Sequence, residues 1–236
     1  LEDSNIQSDF VQVDEDTRIN VKLKSGQETE INAPGPKVTH AQFEQLLSQI
    51  RRTTKDDIVI VAGSVPNSIP SDAYAQIAQI TEKTGAQLVV DAEKDLVETV
   101  LPYRPLFIKP NKDELEVMFN TTVKSDEDVI KYGKEILKKG AQSVIISLGG
   151  DGAIYVDQHQ SIKAVNPQGH VVNTVGSGDS TVAGMVAGLS MGLNVDEAFQ
   201  QAVASGTATA FSEDLATRDA IENIKSQVTI SVLDGE

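Results

Sequence analysis

The sequence predicts an α/β fold, with a mostly parallel β-sheet between helices on both faces. Three observations predict it. The apolar runs "DIVIVAG", "AQLVVDA" and "SVIISLGG" read as strands buried on both faces. Segments with apolar residues at helical spacing lie between them. Turn-forming Gly, Pro and Asn punctuate the boundaries. Strand–helix alternation of this kind implies parallel strands joined by crossovers.

The elements follow in order. "RINVKLKSGQETEIN" alternates Ile19, Val21 and Leu23 with polar residues, turns at "SGQ" and resumes with Thr29 and Ile31. That pattern predicts a hairpin with one buried face. It stands outside the alternation and is expected to form a small lid, dividing the chain into a hairpin region (1–34) and a core (35–236). After "NAPGP", Thr39 opens a helix with Phe43, Leu46, Leu47 and Ile50 on one stripe. The strand "DIVIVAG" follows, then a helix over 71–80, then the strand "AQLVVDA". "LFIKP" leads into a short helix from Lys112, and Ser125 with Asp128 resembles a capping box for a helix ending at Lys139. "SVIISLGG" precedes shorter strands near "AIYVD" and "SIKAV". A glycine-rich helix opens at Gly178, with further helices over 195–211 and 218–226.

Composition excludes several functions. The 236 residues carry a net charge of −15, which repels nucleic acid and anionic membrane unless cations cluster locally. "IRRTTK" and "ILKKG" are too short to supply such a cluster. Cysteine is absent, which excludes disulfides and thiolate zinc sites and fits the reducing cytoplasm. No apolar run reaches membrane-spanning length, and the opening "LEDSNIQSDF" has neither the basic nor the apolar region of a signal peptide. There is no GxxxxGK[ST] and no GxSxG, and His40, His159 and His170 stand apart in polar surroundings.

Chemistry concentrates in five places. In "NTVGSGDSTVAGMVAG", the amides of Gly176, Ser177 and Gly178 can converge at a helix N-terminus, where the dipole favours an anion. Asp179 beside them suits a base that takes a proton from a hydroxyl attacking a phosphoryl group. A helix cap with glycines that only permit close packing is the competing reading. In "SLGGDGA", Ser147, Gly149, Gly150 and Gly152 end a predicted strand, where α/β sheets bind ligands; a tight turn is the alternative. In "KPNKDE", Asn111 and Glu114 share a first helical turn and suit a hydrated Mg²⁺, or simply cap the helix. Ser64 in "AGSVP" can offer its hydroxyl and amide to an anion. Arg18, Asn20 and Lys22 alternate onto the polar face of the hairpin, and Arg suits a phosphate, with a plain solvated strand face as the alternative.

Taken together these stretches resemble the ribokinase-like (PfkB) carbohydrate kinases, in the same order and from end to end of the chain. "TRINVKL", "APGP" and "AGSVP" are most similar to the branch acting on fructose 1-phosphate, with tagatose-6-phosphate kinases as near relatives. The resemblance implies a three-layer α/β/α domain with a β-lid over the sugar. It implies that ATP and Mg²⁺ are used, with Asp179 as base and Gly176, Ser177 and Gly178 as the anion hole. ATP would lie along Ser147, Gly149, Gly150 and Gly152, and Asn111 and Glu114 would organise Mg²⁺. Arg18 and Ser64 would hold the phosphate already on the sugar, with Lys109 adding positive charge. It also implies a cytoplasmic homodimer formed through the lid. The family's opening strand, its sugar-binding Asp and its "GGKGxN"-type segment are absent here, so an N-terminal portion is expected to be missing. That leaves open a catalytically silent domain that only binds nucleotide or sugar phosphate.

Overall fold

A computed structural model describes residues 6–25 and 27–235. β1 (Asn20–Ser25) and β2 (Gln27–Asn32) form a separate antiparallel hairpin, with Val21 opposite Ile31 and Leu23 opposite Thr29. Gly26 of the predicted turn and the side chain of Lys22 lie outside what is described. The other strands form one sheet in chain order: β3 (Ile58–Ala62), β4 (Gln87–Asp91), β5 (Phe107–Ile108), β6 (Val144–Ser147), β7 (Ala153–Val156), β8 (Gln160–Val165) and β9 (Thr229–Gly235).

Period-2 alternation sends successive residues of each central strand into two different cores. Val90, Ile108 and Ile146 face the layer of α1 (His40–Ile50), α2 (Ala73–Thr84), α3 (Lys94–Val100), α4 (Lys112–Phe119) and α5 (Asp126–Lys139). Val89, Phe107 and Ile145 face α6 (Ser177–Ser190), α7 (Val195–Ala210) and α8 (Arg218–Lys225). The result is the expected three-layer α/β/α arrangement.

The expectation of a mostly parallel sheet holds only for half of it. β3 to β6 pair in parallel, but β6 to β9 pair antiparallel. Connection length explains β6–β7 and β7–β8: 148–152 and 157–159 are too short for a crossover, which needs about a dozen residues, so the chain turns back as hairpins, whereas β9 joins β8 antiparallel only after α6–α8. β9 itself was not expected, although Val228, Ile230 and Val232 alternate. The run "DIVIVAG" is not buried on both faces. β3 is an edge strand, and Ile60, on the face that α6–α8 cover further along the sheet, is 46% exposed. Nor is one hairpin face buried: Val21, Leu23 and Ile31 are exposed, because no other described element packs extensively on β1–β2.

Smaller differences have local causes. Thr39 and Gln42 form a full capping box on α1, but Leu46 of the predicted stripe is exposed while Phe43, Leu47 and Ile50 are buried. α2 begins at Ala73 rather than at 71 and runs on to Gly85, whose left-handed backbone stops it. Ser125 caps α5, but the Asp128 carboxylate accepts from the Lys124 amide rather than from Ser125, so only half of the box forms. Before the hairpin the chain lies along α1, where Gln42 and Gln49 donate to the carbonyls of Gln12 and Asp9 at 2.9 and 2.7 Å.

Candidate active site

The site assembles at the carboxyl ends of the parallel strands. Each strand is extended past its last ladder pair by one more backbone bond. Gly63 N–H donates to Asp91 O (3.0 Å), Lys109 N–H to Val90 O (3.2 Å) and Ser147 N–H to Pro110 O (3.1 Å). Asp91 follows Val90 and Lys109 follows Ile108, and those two are register partners. Alternation therefore turns both side chains toward the α6–α7 face, where Lys109 Nζ meets Asp91 Oδ2 at 3.2 Å. Lys109 is only 7% exposed. Burial raises the pKa of the Asp91 carboxyl, Lys109 pulls it back down, and the charge of Asp179 raises it. The last of these places Asp179 within electrostatic reach of the pair.

Above the pair lies the first turn of α6. Gly176 is its N-cap, with φ of +80°, and no side chain caps the turn. The predicted anion hole is modified here. Ser177 N–H is taken by Thr174 O at 3.2 Å, whereas the amides of Gly176, Gly178 and Asp179 carry no protein partner among the described residues. Asp179 supplies the amide that Ser177 cannot, and its side chain stands exposed at the mouth of the turn. Gly178 presses on the buried cation: a β-carbon there would lie 3.3 Å from Lys109 Nζ.

The glycines further along α6 serve packing. A β-carbon on Gly184 would lie 2.8 Å from Ala202 Cα, and one on Gly188 would lie 2.8 Å from Ala198 Cα. The packing reading of "GSGDSTVAGMVAG" holds for Gly184 and Gly188, which let α7 approach, while Gly176 and Gly178 lie at the helix mouth beside Lys109 and Asp179.

Among the "SLGGDGA" residues, Gly149 and Gly150 are exposed and face open space. Gly152 does something else. Its φ is +94° and a β-carbon would overlap Ala164 O, so it exists to let β8 approach. Ser147 ends β6 on the same face as Ile145 and is bridged to Asn111. Asn111 and Glu114 form a reciprocal cap on α4: Asn111 Oδ1 accepts from Glu114 N–H and Glu114 Oε2 from Asn111 N–H, each at 2.8 Å. The capping alternative is thus realised, and the second Glu114 oxygen stays outside the cap. No group of three or more His, Asp or Glu among the described residues could cage a metal. This donor set fits a hydrated Mg²⁺ carried largely by phosphates and waters. Arg18 and Ser64, far apart in sequence, meet: the guanidinium donates to Ser64 Oγ at 2.8 Å.

Three residues were not singled out from the sequence. Asp91 carries no motif, and only the register shows that it neighbours Lys109. Tyr74 donates its hydroxyl to Gly63 O at 2.9 Å and braces the turn that bears Ser64. Asn166 binds the Gly149–Gly150 turn. Two hollows, of about 250 Å³ between α1 and α2 and about 500 Å³ between α5 and β9, lie away from this cluster. No helix among the described residues is long and apolar enough to cross a membrane.

Residues 1–220 match the family described as pfkB family carbohydrate kinase. The chain is 41% identical to a 1-phosphofructokinase of Bacillus subtilis, over 99% of this chain and 77% of that protein. It is 35% identical to a D-tagatose-1-phosphate kinase of Bacillus licheniformis, with the same coverage of each chain. A crystal structure from Staphylococcus aureus, provisionally assigned as a phosphofructokinase, is 80% identical with a TM-score of 0.91, covering 100% of this chain and 77% of that one.

Proposed function

The chain belongs to the pfkB family of carbohydrate kinases, and on that premise we propose that it phosphorylates fructose 1-phosphate with ATP, giving fructose 1,6-bisphosphate and ADP. The observation that carries the reading is the first turn of α6, where an exposed carboxylate and unpartnered amides sit over a buried ammonium.

The roles follow from the chemistry of each group. Arg18 and Ser64 hold the 1-phosphate through charge-assisted hydrogen bonds. Gly149, Gly150 and the end of β6 at Ser147 receive the nucleotide, and Gly152 shapes that turn from behind. Asn111 and Glu114 would hold a hydrated Mg²⁺, which when bound would neutralise phosphate charge. Asp179 takes the proton from the sugar's 6-hydroxyl as that oxygen forms its bond to the terminal phosphorus. The bond from that phosphorus to the bridging oxygen breaks, and ADP leaves with the electron pair. The amides of Gly176, Gly178 and Asp179, with Lys109 behind them, neutralise charge on the transferred group. With ATP as donor the reaction belongs to the cytoplasm.

The exposed apolar residues Val21, Leu23 and Ile31 support a homodimer in which two hairpins cover each other. Light scattering on the intact protein and on Leu23→Lys tests this; a monomeric parent refutes it.

The central test is Asp179→Asn in the intact protein. Turnover should fall about 100-fold or more while ADP binding stays within about twofold. Unchanged turnover removes Asp179 from the mechanism. Thermal stabilisation by ligands without any ADP release in the parent would favour a silent binding domain instead. A second sugar is supported by the tagatose kinase among the relatives, which acts on the 1-phosphate rather than the 6-phosphate. Fructose and tagatose differ only in configuration at C4, so kcat/KM measured on both 1-phosphates decides between them.

A further inference from the structure

Asn166 sits just beyond β8 in the stretch "NPQG", outside every motif assigned above. Its amide nitrogen donates to Gly149 O at 3.0 Å and reaches Gly150 O at 3.4 Å. Its amide oxygen accepts from Thr207 Oγ1 at 2.9 Å. Thr207 is a buried residue of α7, and its neighbour Gly206 lies against the first turn of α6: a β-carbon there would lie 2.9 Å from Ser177 O and would overlap Thr181 Oγ1. One side chain thus links the exposed glycine turn to the helix pair that carries Asp179. Gly149, with φ of +61° and open space where a β-carbon would be, has no side chain of its own to fix its orientation.

We propose that Asn166 is a positioning residue for the nucleotide. By gripping the carbonyls of Gly149 and Gly150 and anchoring on Thr207, it sets the height of the glycine turn above the amides of α6. The bound nucleotide then spans from that turn to Asp179 at a fixed separation. Arg18 and Ser64, proposed to hold the sugar phosphate, make none of these contacts. The proposal rests on the kinase reading above, and it predicts a defect confined to one of the two substrates.

Asn166→Asp isolates the grip. It preserves shape and still accepts from Thr207, but a carboxylate has no hydrogen to donate to two carbonyls and repels them. Losing one to two hydrogen bonds of about 1 kcal/mol each corresponds to a roughly tenfold change in affinity. In the intact protein, Kd for ADP by calorimetry and KM for ATP should rise about tenfold. KM for fructose 1-phosphate should change less than about twofold, in a variant that still unfolds cooperatively. Thr207→Val should raise the nucleotide constants a few-fold, and Thr207→Ser, which keeps the hydroxyl, should restore them. Nucleotide affinity unchanged in Asn166→Asp overturns the proposal, as does an equal rise in both KM values. Should Asn166→Asp fail to fold, the Thr207 pair decides: equal nucleotide affinities in Val and Ser also overturn it. A parent protein that binds no ADP at all would instead defeat the kinase reading itself.

Discussion

Replacing Gly178 by Ala separates chemistry from packing within one helix. Gly178 lies in the first turn of α6 without a positive φ, so alanine fits the backbone. Helix propensity alone would favour the variant by about 1 kcal/mol. Opposing this, the new β-carbon would stand 3.3 Å from Lys109 Nζ, 3.7 Å from its Cε and 4.0 Å from Asp91 Oδ2. The ammonium is 7% exposed and held at 3.2 Å by Asp91, so it cannot swing into solvent and must yield a few tenths of an ångström in place. Such crowding costs about 1 kcal/mol or slightly more, and the two effects nearly cancel. Stability by urea unfolding should therefore stay within about 1 kcal/mol of the parent. Catalysis has no such compensation. The methyl group stands beside the free amides of Gly178 and Asp179 and displaces the cation behind them, where losing one such donor costs about 100-fold. Coupled ADP release should show turnover falling by about that factor. Gly184→Ala supplies the contrast: its β-carbon would meet Ser205 Oγ at 2.6 Å and Ala202 Cα at 2.8 Å, so it forces α6 and α7 apart. That variant should lose about 2 kcal/mol or more while its folded fraction turns over normally. Full turnover in Gly178→Ala, or a stability loss matching that of Gly184→Ala, refutes this division of the glycines.

Further outcomes can be measured on the same protein. Arg18→Ala should raise KM for the sugar phosphate at least about tenfold and leave KM for ATP unchanged, since a charge-assisted hydrogen bond contributes about 1.5–3 kcal/mol; equal effects on both count against its assignment. Asp91→Asn leaves a buried ammonium without its counter-charge and should cost about 3–5 kcal/mol in urea unfolding, partly recovered by adding Lys109→Met; a loss under about 1 kcal/mol would show that the pair is not structurally coupled. The Tyr74 hydroxyl is pushed up to about 12, chiefly by burial and further by the negative charge of Asp91. Because the folded value exceeds the unfolded one, its contribution is complete below about pH 10 and lost as pH rises through about 12. The stability gap between parent and Tyr74→Phe should thus narrow by on the order of 2 kcal/mol across that window, and a constant gap contradicts the shift.

Much of this architecture is legible in the sequence, and what is not has physical causes. The central strands show because burial on both faces forces unbroken apolar runs. β9 hides because it is an edge strand exposed over most of its length, so it needs no unbroken apolar run, and the polar residues between Val228, Ile230 and Val232 leave only a short alternating signal. The turns back from β6 to β7 and from β7 to β8 were readable in principle from the short links at 148–152 and 157–159, but the apolar runs carry no sign of strand direction. The ordered glycine motifs pointed to the candidate site, yet spacing could not say which glycine faces an open cleft and which meets a neighbouring helix. That depends on what a β-carbon would meet, a three-dimensional quantity. Asp91 had no signature at all, since a carboxylate at the end of a strand becomes significant only when the register sets it beside Lys109. Asn111 and Glu114 show the opposite case: their spacing was visible, and it satisfies a helix cap whether or not a metal is near.

On the proposed role of Asp179 as base, the Asp91–Lys109 pair also explains how that base survives next to a lysine. The whole chain carries −15, yet both substrates are anions, and screening over about 10 Å leaves binding to local groups. A cation in the site is therefore required, but a mobile ammonium near Asp179 would pair with it and cover the oxygen that must take the proton. Asp91 resolves the conflict. It fixes Lys109 from below at 3.2 Å, in a position facing Gly178, while Asp179 stands exposed with no ion pair among the described residues. Burial makes this expensive, which is why the Asp91 carboxyl is raised despite its partner. The strain is tolerable because the pair is laid down by strand register rather than by flexible loops: each side chain follows a residue locked into the parallel ladder. On the proposed mechanism the sheet thus delivers the positive charge and the helix delivers the amides and the base, and their separation on two rigid elements keeps attraction for the phosphate from silencing the carboxylate.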